Sequence, residues 1–194
     1  IPSGSLPYVT APVDITDATP QGSNDPDVCS ADGVDRTVWF RFTPTISGPY
    51  TFSTCAGNDA TGSNVYDTVI GVFNACSGGN ALACNDTAAA CVAAVPGAPY
   101  VDQSTATANL AAGNTYYIAT GHWSGDAGGV GPGLNQVSVK VELLSLPAND
   151  TCSSPTPLTL DHIVFGTTVN AANDYRSPLA CFTGVGQIPS SASG

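Results

Sequence analysis

Alternation of apolar and polar residues dominates the chain and predicts short β-strands. In the clearest run, residues 136–143, polar side chains alternate with three valines, Val137, Val139 and Val141. This period of two is typical of a strand with one buried face. Further runs rich in β-branched or aromatic residues lie at 37–43, 49–54, 66–73, 104–110 and 114–120. Gly-, Pro- and Asn-containing turns separate them, so the sequence predicts an all-β protein, an antiparallel β-sandwich or jelly roll.

A second, partial set of strands begins late in the chain. The runs at 156–160 and 163–169 again predict strands, and a polar stretch and Cys181 follow them. The N-terminal run at 7–18 is followed in a similar way by polar residues and Cys29. This similarity is a weak internal repeat.

The partial repeat predicts two parts and a mode of assembly. We expect residues 1–146 to form a sandwich that lacks its first strand, and residues 147–194 to hold the opening strands of a second repeat. The tail of one copy would fill the exposed edge of the next, because unpaired backbone groups gain partners and alternate side chains enter the core. The donor side chains expected to do so are Leu158, Leu160, Ile163, Phe165 and Val169.

Self-association of this head-to-tail kind propagates into a filament unless it closes into a ring. Two alternatives stay open at this point. The 194 residues are a segment of a longer tandem array, or they form a self-contained monomer.

Charge narrows the class of partner. Only 10% of the residues are charged, and fifteen acids against four bases give a net charge of −11. Nucleic acids and anionic membrane surfaces attract clustered Lys and Arg, so neither is an expected partner. No run approaches the roughly 18 consecutive apolar residues of a membrane span. The first residues lack a signal-peptide pattern, and we expect a processed, secreted chain at the cell surface or outside the cell.

Several segments, taken in order, resemble a known bacterial family. They are AspArgThrValTrpPheArgPheThrPro, SerGlyProTyrThrPheSerThrCys, TyrAspThrValIleGlyValPhe, AlaCysAsnAspThr and AlaAlaGlyAsnThrTyrTyrIleAlaThrGly. The series is similar to the pre-peptidase C-terminal (PPC) domain, above all to its cysteine-rich relatives that occur as tandem repeats in large secreted proteins. The resemblance covers about residues 7–146. It implies a β-sandwich or jelly roll with an accessory, noncatalytic role, such as aiding secretion, binding collagen or polysaccharide, or acting as a spacer.

The seven cysteines, which include no zinc-like pair of CxxC motifs, indicate disulfides and an oxidising compartment. Cys76 and Cys84 bracket a Gly-Gly turn, which favours a local bridge between them. Cys55 and Cys91 would then close a longer loop. Spacing alone does not fix this connectivity.

The remaining cysteines allow two arrangements. Cys152 and Cys181 share the partial repeat and are a candidate pair, which leaves Cys29 over. Alternatively, Cys152 of a neighbouring copy bridges Cys29, so that Cys29 becomes an inter-subunit cysteine.

Acidic loops offer a candidate calcium site, a property that some PPC relatives have. Asp67 lies on a predicted strand, and Asn85 and Asp86 lie in a CysAsnAspThr loop, with Asp59 a weaker addition. Calcium takes six to eight oxygen ligands, which carboxylates and backbone carbonyls supply. No DxDxDG loop is present, and the alternative is that these side chains satisfy backbone groups in turns.

Motifs for catalysis are missing from the sequence. His122 and His162 are the only histidines, and neither belongs to an HExxH motif or a metal-spaced pair. We therefore expect no enzyme but a noncatalytic extracellular structural protein, a subunit or repeat of a filament, stalk or surface layer. The competing expectation is an adhesive module that binds extracellular polysaccharide or protein. A hydrolase is the least favoured class.

Overall fold

The chain forms two antiparallel β-sheets that pack face to face. The computed structural model describes residues 1–2, 4–19, 29, 33–55, 63–65, 67–76, 81–89, 91, 102–125, 133–145, 156–161, 163 and 165–166. The strands within these ranges are β1 Tyr8–Val9, β2 Val13–Asp14, β3 Val34–Phe42, β4 Gly48–Ser53, β5 Thr68–Phe73, β6 Ala83–Asn85, β7 Thr105–Leu110, β8 Tyr116–Trp123, β9 Gln136–Val137 and β10 Lys140–Leu143. No helix in the described ranges has the length and apolarity needed to cross a membrane.

Each large sheet has four strands. One has the order β1-β10-β4-β7 and the other the order β3-β8-β5-β6, while β2 pairs with β9. Tyr8 lies opposite Val141 and Val13 lies opposite Val137, so β1 and β2 together run along residues 136–143 as one interrupted strand. The edge beside β10 is therefore occupied from within the chain.

The core lies between the sheets because alternate residues of each strand point inward. Val137, Val139 and Val141 are fully buried, as their spacing predicts. The main cluster consists of Phe42, Tyr50, Phe52, Ile70, Val72, Ala106, Ala108, Leu110, Tyr116, Ile118, Val139 and Val141. Burial stabilises each large apolar side chain by about 1.5–3 kcal/mol. The prediction of an all-β, antiparallel sandwich is confirmed.

The described part of the tail differs from its prediction. Residues 156–161 form no strand, although the pattern predicted one at 156–160, and 163 and 165–166 are not in a strand either. Leu160 and Asp161 instead lie in a turn, and none of the described strands pairs with the segment. A segment becomes a strand only when a neighbour pairs with its backbone groups. Val169 lies outside the described residues.

Candidate functional site

One side of the sandwich, where β6 and β7 are the outermost strands, is closed by hydrogen bonds between the sheets. The side-chain oxygen of Asn85 accepts from the backbone N–H of Thr105 at 3.0 Å. The hydroxyl of Ser104 donates to the carbonyl oxygen of Asp86 at 2.5 Å. These contacts join the end of β6 to the start of β7, so little room is left between the two sheets there.

A buried hydroxyl cluster reinforces this closed side. The hydroxyl oxygens of Thr54 and Thr68 lie 2.7 Å apart, and both side chains are fully buried. The backbone N–H of Ser104 donates to Thr54 at 3.0 Å and to Thr68 at 3.1 Å. Buried polar groups that satisfy one another in this way hold the adjoining strands in a defined register.

The opposite side, where β1 and β3 are the outermost strands, is open. β3 is nine residues long and pairs only with β8 among the described strands. The carbonyl oxygen of Arg41 points away from β8, since it accepts a hydrogen bond from the terminal ammonium group of Ile1 at 2.7 Å. Residues two apart in an antiparallel strand direct their backbone groups to the same edge, so those of Trp39 point outward as well. β3 thus presents an edge to which a further strand can bond.

Apolar side chains line the open side. Ile1, Leu6 and Phe40 are half-buried and pack against the main core. Beside Leu6, a cavity of about 380 Å³ reaches Ile46 and Leu143 at one end of the sandwich. The side chain of Ile46 is 58% exposed. The open side therefore combines outward-directed backbone groups, of which the carbonyl oxygen of Arg41 is bonded to Ile1, with incompletely covered apolar surface.

A β-bulge fixes the first part of β3. The register shifts between Asp35 and Val38, and Arg36 has a φ of 54°, a left-handed conformation that is uncommon outside glycine. The carboxylate of Asp35 lies 3.0 Å from Nδ1 of the buried His122. The guanidinium of Arg36 donates to the carbonyl oxygen of Thr16 at 2.7 Å. Both contacts anchor the bulge, so the straight part of β3 begins at Val38.

The tail supplies the second half of the candidate site. Its large apolar side chains are almost fully exposed, at 81% for Leu158, 93% for Leu160, 83% for Ile163 and 91% for Phe165. Asp161, between the two pairs, has a φ of 65°, which Asp adopts more readily than most residues. Soluble proteins rarely leave apolar groups of this size uncovered in a row unless another surface binds them.

The candidate calcium residues lie near the closed side, but Asn85 is engaged in structural contacts. In addition to its bond with Thr105, its amide nitrogen donates to the carbonyl oxygen of Thr87 at 3.1 Å. Asp67 is buried and forms an isolated bridge with Asp102, while Asp86 follows β6 directly. Across the described ranges, no three His, Cys, Asp or Glu side chains come together as a metal site. The side chain of Asn85 thus bonds to backbone groups, as the alternative given above expects, and the calcium site stays a prediction.

The disulfides differ in part from the predicted pairs. Cys55 bonds to Cys91, as predicted. The predicted Cys76–Cys84 pair is wrong, because Cys84 bonds to Cys29 and Cys76 is an exposed free thiol. Cys84 lies in the middle of β6, opposite Gly71.

The two remaining cysteine predictions follow from this result. Cys29 is bonded within its own chain, so the inter-subunit role predicted for it is wrong. The pair Cys152–Cys181 lies outside the described residues. The local Gly-Gly turn was a misleading signal, because the segment before β3 supplies a more favourably placed partner for Cys84.

His122 is not a surface residue. It is 1% exposed and pairs with Asp35, and this contact holds the bulge of β3 against β8. His162 lies outside the described residues.

Comparisons with protein-family models, with curated proteins and with solved structures find no match. The resemblance to the PPC domain therefore stays a prediction from the sequence. The candidate site is defined by geometry alone, as an open strand edge and an exposed apolar segment in one chain.

The sequence did not reveal the acceptor part of this site. Trp39 and Arg41 belong to a strand that the pattern predicts, yet which strand lies at a sheet edge depends on the order of strands in space. The ring of Trp39 packs on Phe73 at 5.5 Å between centroids, on the outer face of the sheet.

Proposed function

We propose that this chain is a noncatalytic, extracellular structural unit that joins to another unit through its tail, as part of a filament, stalk or surface layer. The observation that carries the proposal is the near-complete exposure of Leu158, Leu160, Ile163 and Phe165 on a segment without a strand partner. A period of two within each pair is typical of a strand that inserts alternate side chains into a groove.

Two features of the sandwich support this function. Its open side offers an acceptor edge, and its two disulfides fit an oxidising compartment outside the cell. The strand order also favours the jelly-roll form, because the first strand, β1 with β2, lies beside the last, β9 with β10, while β3 lies beside β8 in the other sheet.

Burial of the apolar side chains supplies most of the free energy that would hold the tail on its acceptor. Ordering each backbone residue of the tail costs about 1–2 kcal/mol, which the new ladder hydrogen bonds offset only in part. Burying Leu158 or Leu160 contributes about 1.5–3 kcal/mol each. Loss of one such side chain should therefore weaken the contact by about ten- to a hundredfold.

Sedimentation velocity and negative-stain electron microscopy of the full chain, over a range of concentrations, test the proposal. We expect linear polymers for the unsubstituted chain and dissociation to monomers for the double variant Leu158→Ser, Leu160→Ser. Thr159→Ser is the matched control, because it changes an exposed polar position of the same segment and should assemble normally. A full chain that remains monomeric at every concentration contradicts the proposal.

A second candidate function, binding of a polysaccharide, has its own supporting observation. A shallow cavity of about 450 Å³ is lined by the side chains of Asn74, Asn109 and Asn114 together with Leu82, which is 47% exposed. Amides that converge around an apolar side chain suit a neutral, hydroxyl-rich ligand, since they both donate and accept hydrogen bonds.

Binding to insoluble polysaccharides distinguishes this second function. If the amide-lined cavity is the site, Asn114→Ala should abolish retention on the polymer, whereas Thr51→Ala, on the face of another strand, should not. Equal retention of both variants would assign the binding to a different surface.

A further inference from the structure

We propose that the acceptor for the tail is the outer edge of β3, from Val38 to Phe42, on a second copy of this chain, and that residues 156–166 are the segment that docks there. This inference rests on the proposed function and names the surface that the tail binds. It also fixes the occupant, a second copy, because the exposed tail segment has the apolar spacing that the open side requires.

The first step is the direction of the backbone groups. Arg41 directs its carbonyl oxygen away from β8, where it accepts a hydrogen bond from the terminal ammonium group of Ile1 at 2.7 Å. A docked strand takes the place of Ile1 at this oxygen, because one of its own backbone N–H groups then donates there. Trp39 offers its N–H and C=O groups to the same edge by the alternation of the strand.

The second step excludes the other sheet edges. β1 and β2, which share an edge, have two residues each and are interrupted between Val9 and Val13, so they offer no continuous edge to an added strand. β6 and β7 face each other across the closed side, where Asn85 caps the N–H of Thr105 and Ser104 bridges to Asp86. The inward side chains of β7 include Ala106 and Ala108, both buried, so incoming leucines find no open groove beside them. β3 is the longest strand and the one on the open side.

The third step is the match of apolar side chains. An added strand places alternate side chains between the sheets, next to the half-buried Phe40 of β3. Leu158 and Leu160 have that spacing. Ile163 and Phe165 have it too, but with opposite parity, so a regular strand would turn them to the other face.

A single extra residue corrects this parity. Asp161 lies between the two pairs and has a φ of 65°, as the first residue of a β-bulge can have. A bulge at Asp161 brings both apolar pairs to the face that enters the core. The left-handed conformation of Asp161 is already present in the unpaired tail, where Leu160 and Asp161 form a turn that opens on docking.

Charge complementarity favours the same pairing. Arg41 is exposed, and its guanidinium forms no ion pair within the part of the chain that the structure describes. It points to the outer face of the sheet, the face that Thr159 and Asp161 share when Leu158 and Leu160 point inward. In a chain of net charge −11, an exposed arginine beside an incoming aspartate is a specific contact.

A binding experiment on the full-length double variant Leu158→Ser, Leu160→Ser tests the acceptor. Its own tail is disabled, so the probe is a labelled peptide of residues 156–166, followed by fluorescence anisotropy. Arg41→Pro, added to this background, removes an N–H that the pairing with β8 does not use. We expect it to weaken peptide binding at least tenfold. The matched control Asn109→Pro, at the β7 edge, should leave binding unchanged.

The outcomes separate the inference from the proposed function. If Asn109→Pro blocks the peptide and Arg41→Pro does not, the tail docks on β7; the β3 assignment is overturned, while assembly through the tail stands. If the full unsubstituted chain is monomeric and the peptide binds to no variant, both ideas fail.

A second measurement keeps the inference testable if Arg41→Pro does not fold. The protein is the same double variant, Leu158→Ser, Leu160→Ser, in which β3 is unsubstituted. Its amide hydrogen exchange is measured by NMR with and without the peptide, and the peptide should protect the amides of Trp39 and Arg41. Unchanged exchange at both amides, with the peptide bound, would exclude β3 as the acceptor.

Discussion

Replacement of Gly121 by alanine should destabilise the sandwich at the bulge of β3. A Cβ atom at this position would lie 2.7 Å from the carbonyl oxygen of Asp35, 2.7 Å from a methyl carbon of Val34 and 3.1 Å from Cα of Thr37. Two of these atoms are backbone atoms of the bulge, which cannot turn aside as the end of a flexible side chain can. The bulge must therefore move away from β8, and the contact between Asp35 and His122 must lengthen.

The magnitude follows from the cost of overpacking. Inserting one carbon into a well-packed site costs about 1–3 kcal/mol, and a domain of this size loses about 2–4 °C of Tm per kcal/mol. We expect Tm to fall by about 2–12 °C. The contact with the backbone places Gly121→Ala toward the upper end of that range.

Urea unfolding of the oxidised protein, followed by tryptophan fluorescence, measures the effect. Trp39 and Trp123 lie on β3 and β8, the two strands that the substitution separates. Gly4→Ala is the control, because its Cβ would meet no atom within 4 Å. It should leave the free energy of unfolding within about 0.5 kcal/mol of the unsubstituted protein. A Gly121→Ala protein of equal stability would refute the close packing of the bulge on β8.

Three further predictions concern parts of the sandwich away from the bulge. Thr54→Val removes a hydroxyl from the buried cluster on the closed side and should cost about 1–3 kcal/mol in urea unfolding; an unchanged midpoint would show that water or another group replaces it. Replacing both Cys55 and Cys91, 36 residues apart, by alanine should cost about 4 kcal/mol through the larger entropy of the unfolded chain; a loss below about 1 kcal/mol would contradict that account. Hydrogen bonds from Thr16 lower the pKa of Asp14, so its stabilising contribution is complete above the ordinary pKa of Asp and is lost as pH falls through the lowered value. Asp14→Asn should therefore lose less stability between neutral and acidic pH than the unsubstituted protein, and equal losses would count against the contact.

Local pattern was enough to predict most strands of the sandwich, but not β6, because Cys84 and Asn85 were assigned to a loop. The valines at 137, 139 and 141 are buried because a period of two leaves one face for the core, and no long-range information is needed to recognise it. The run at 37–43 likewise falls within β3 almost completely. Sheet order was not predictable in this way, because it depends on which strands meet in space.

The cysteines illustrate the same limit. The turn between Cys76 and Cys84 suggested a bridge across a hairpin, but Cys84 bonds to Cys29, which is 55 residues away in sequence. The Cys55–Cys91 pair was predicted correctly because these were the two cysteines left in the central region after Cys76 and Cys84 had been assigned to each other. Pairing depends on which side chains cross the same face of a sheet, and the spacing of cysteines carries little of that information.

The candidate site was predictable in one half only. The donor side chains Leu158 and Leu160 were apparent from their alternation, and their exposure agrees with a segment that needs a partner. The proposed acceptor edge was not predictable, because the place of Trp39 and Arg41 at a sheet edge depends on the position of β3 in the strand order. The strands predicted in the tail are absent from its described residues, and under the proposal they form only when a second copy supplies a neighbour.

The Cys29–Cys84 bond has a mechanical consequence for a unit that is loaded through β3. Cys29 immediately precedes β3 in the chain, and Cys84 lies in β6, at the far edge of the same sheet. A pulling force that enters at β3 would otherwise have to shear β8 and β5 in turn to reach that edge. The Cys29–Cys84 bond connects the two edges of the sheet covalently. A force applied by a neighbouring unit would therefore be borne by covalent bonds before the hydrogen bonds between the strands break.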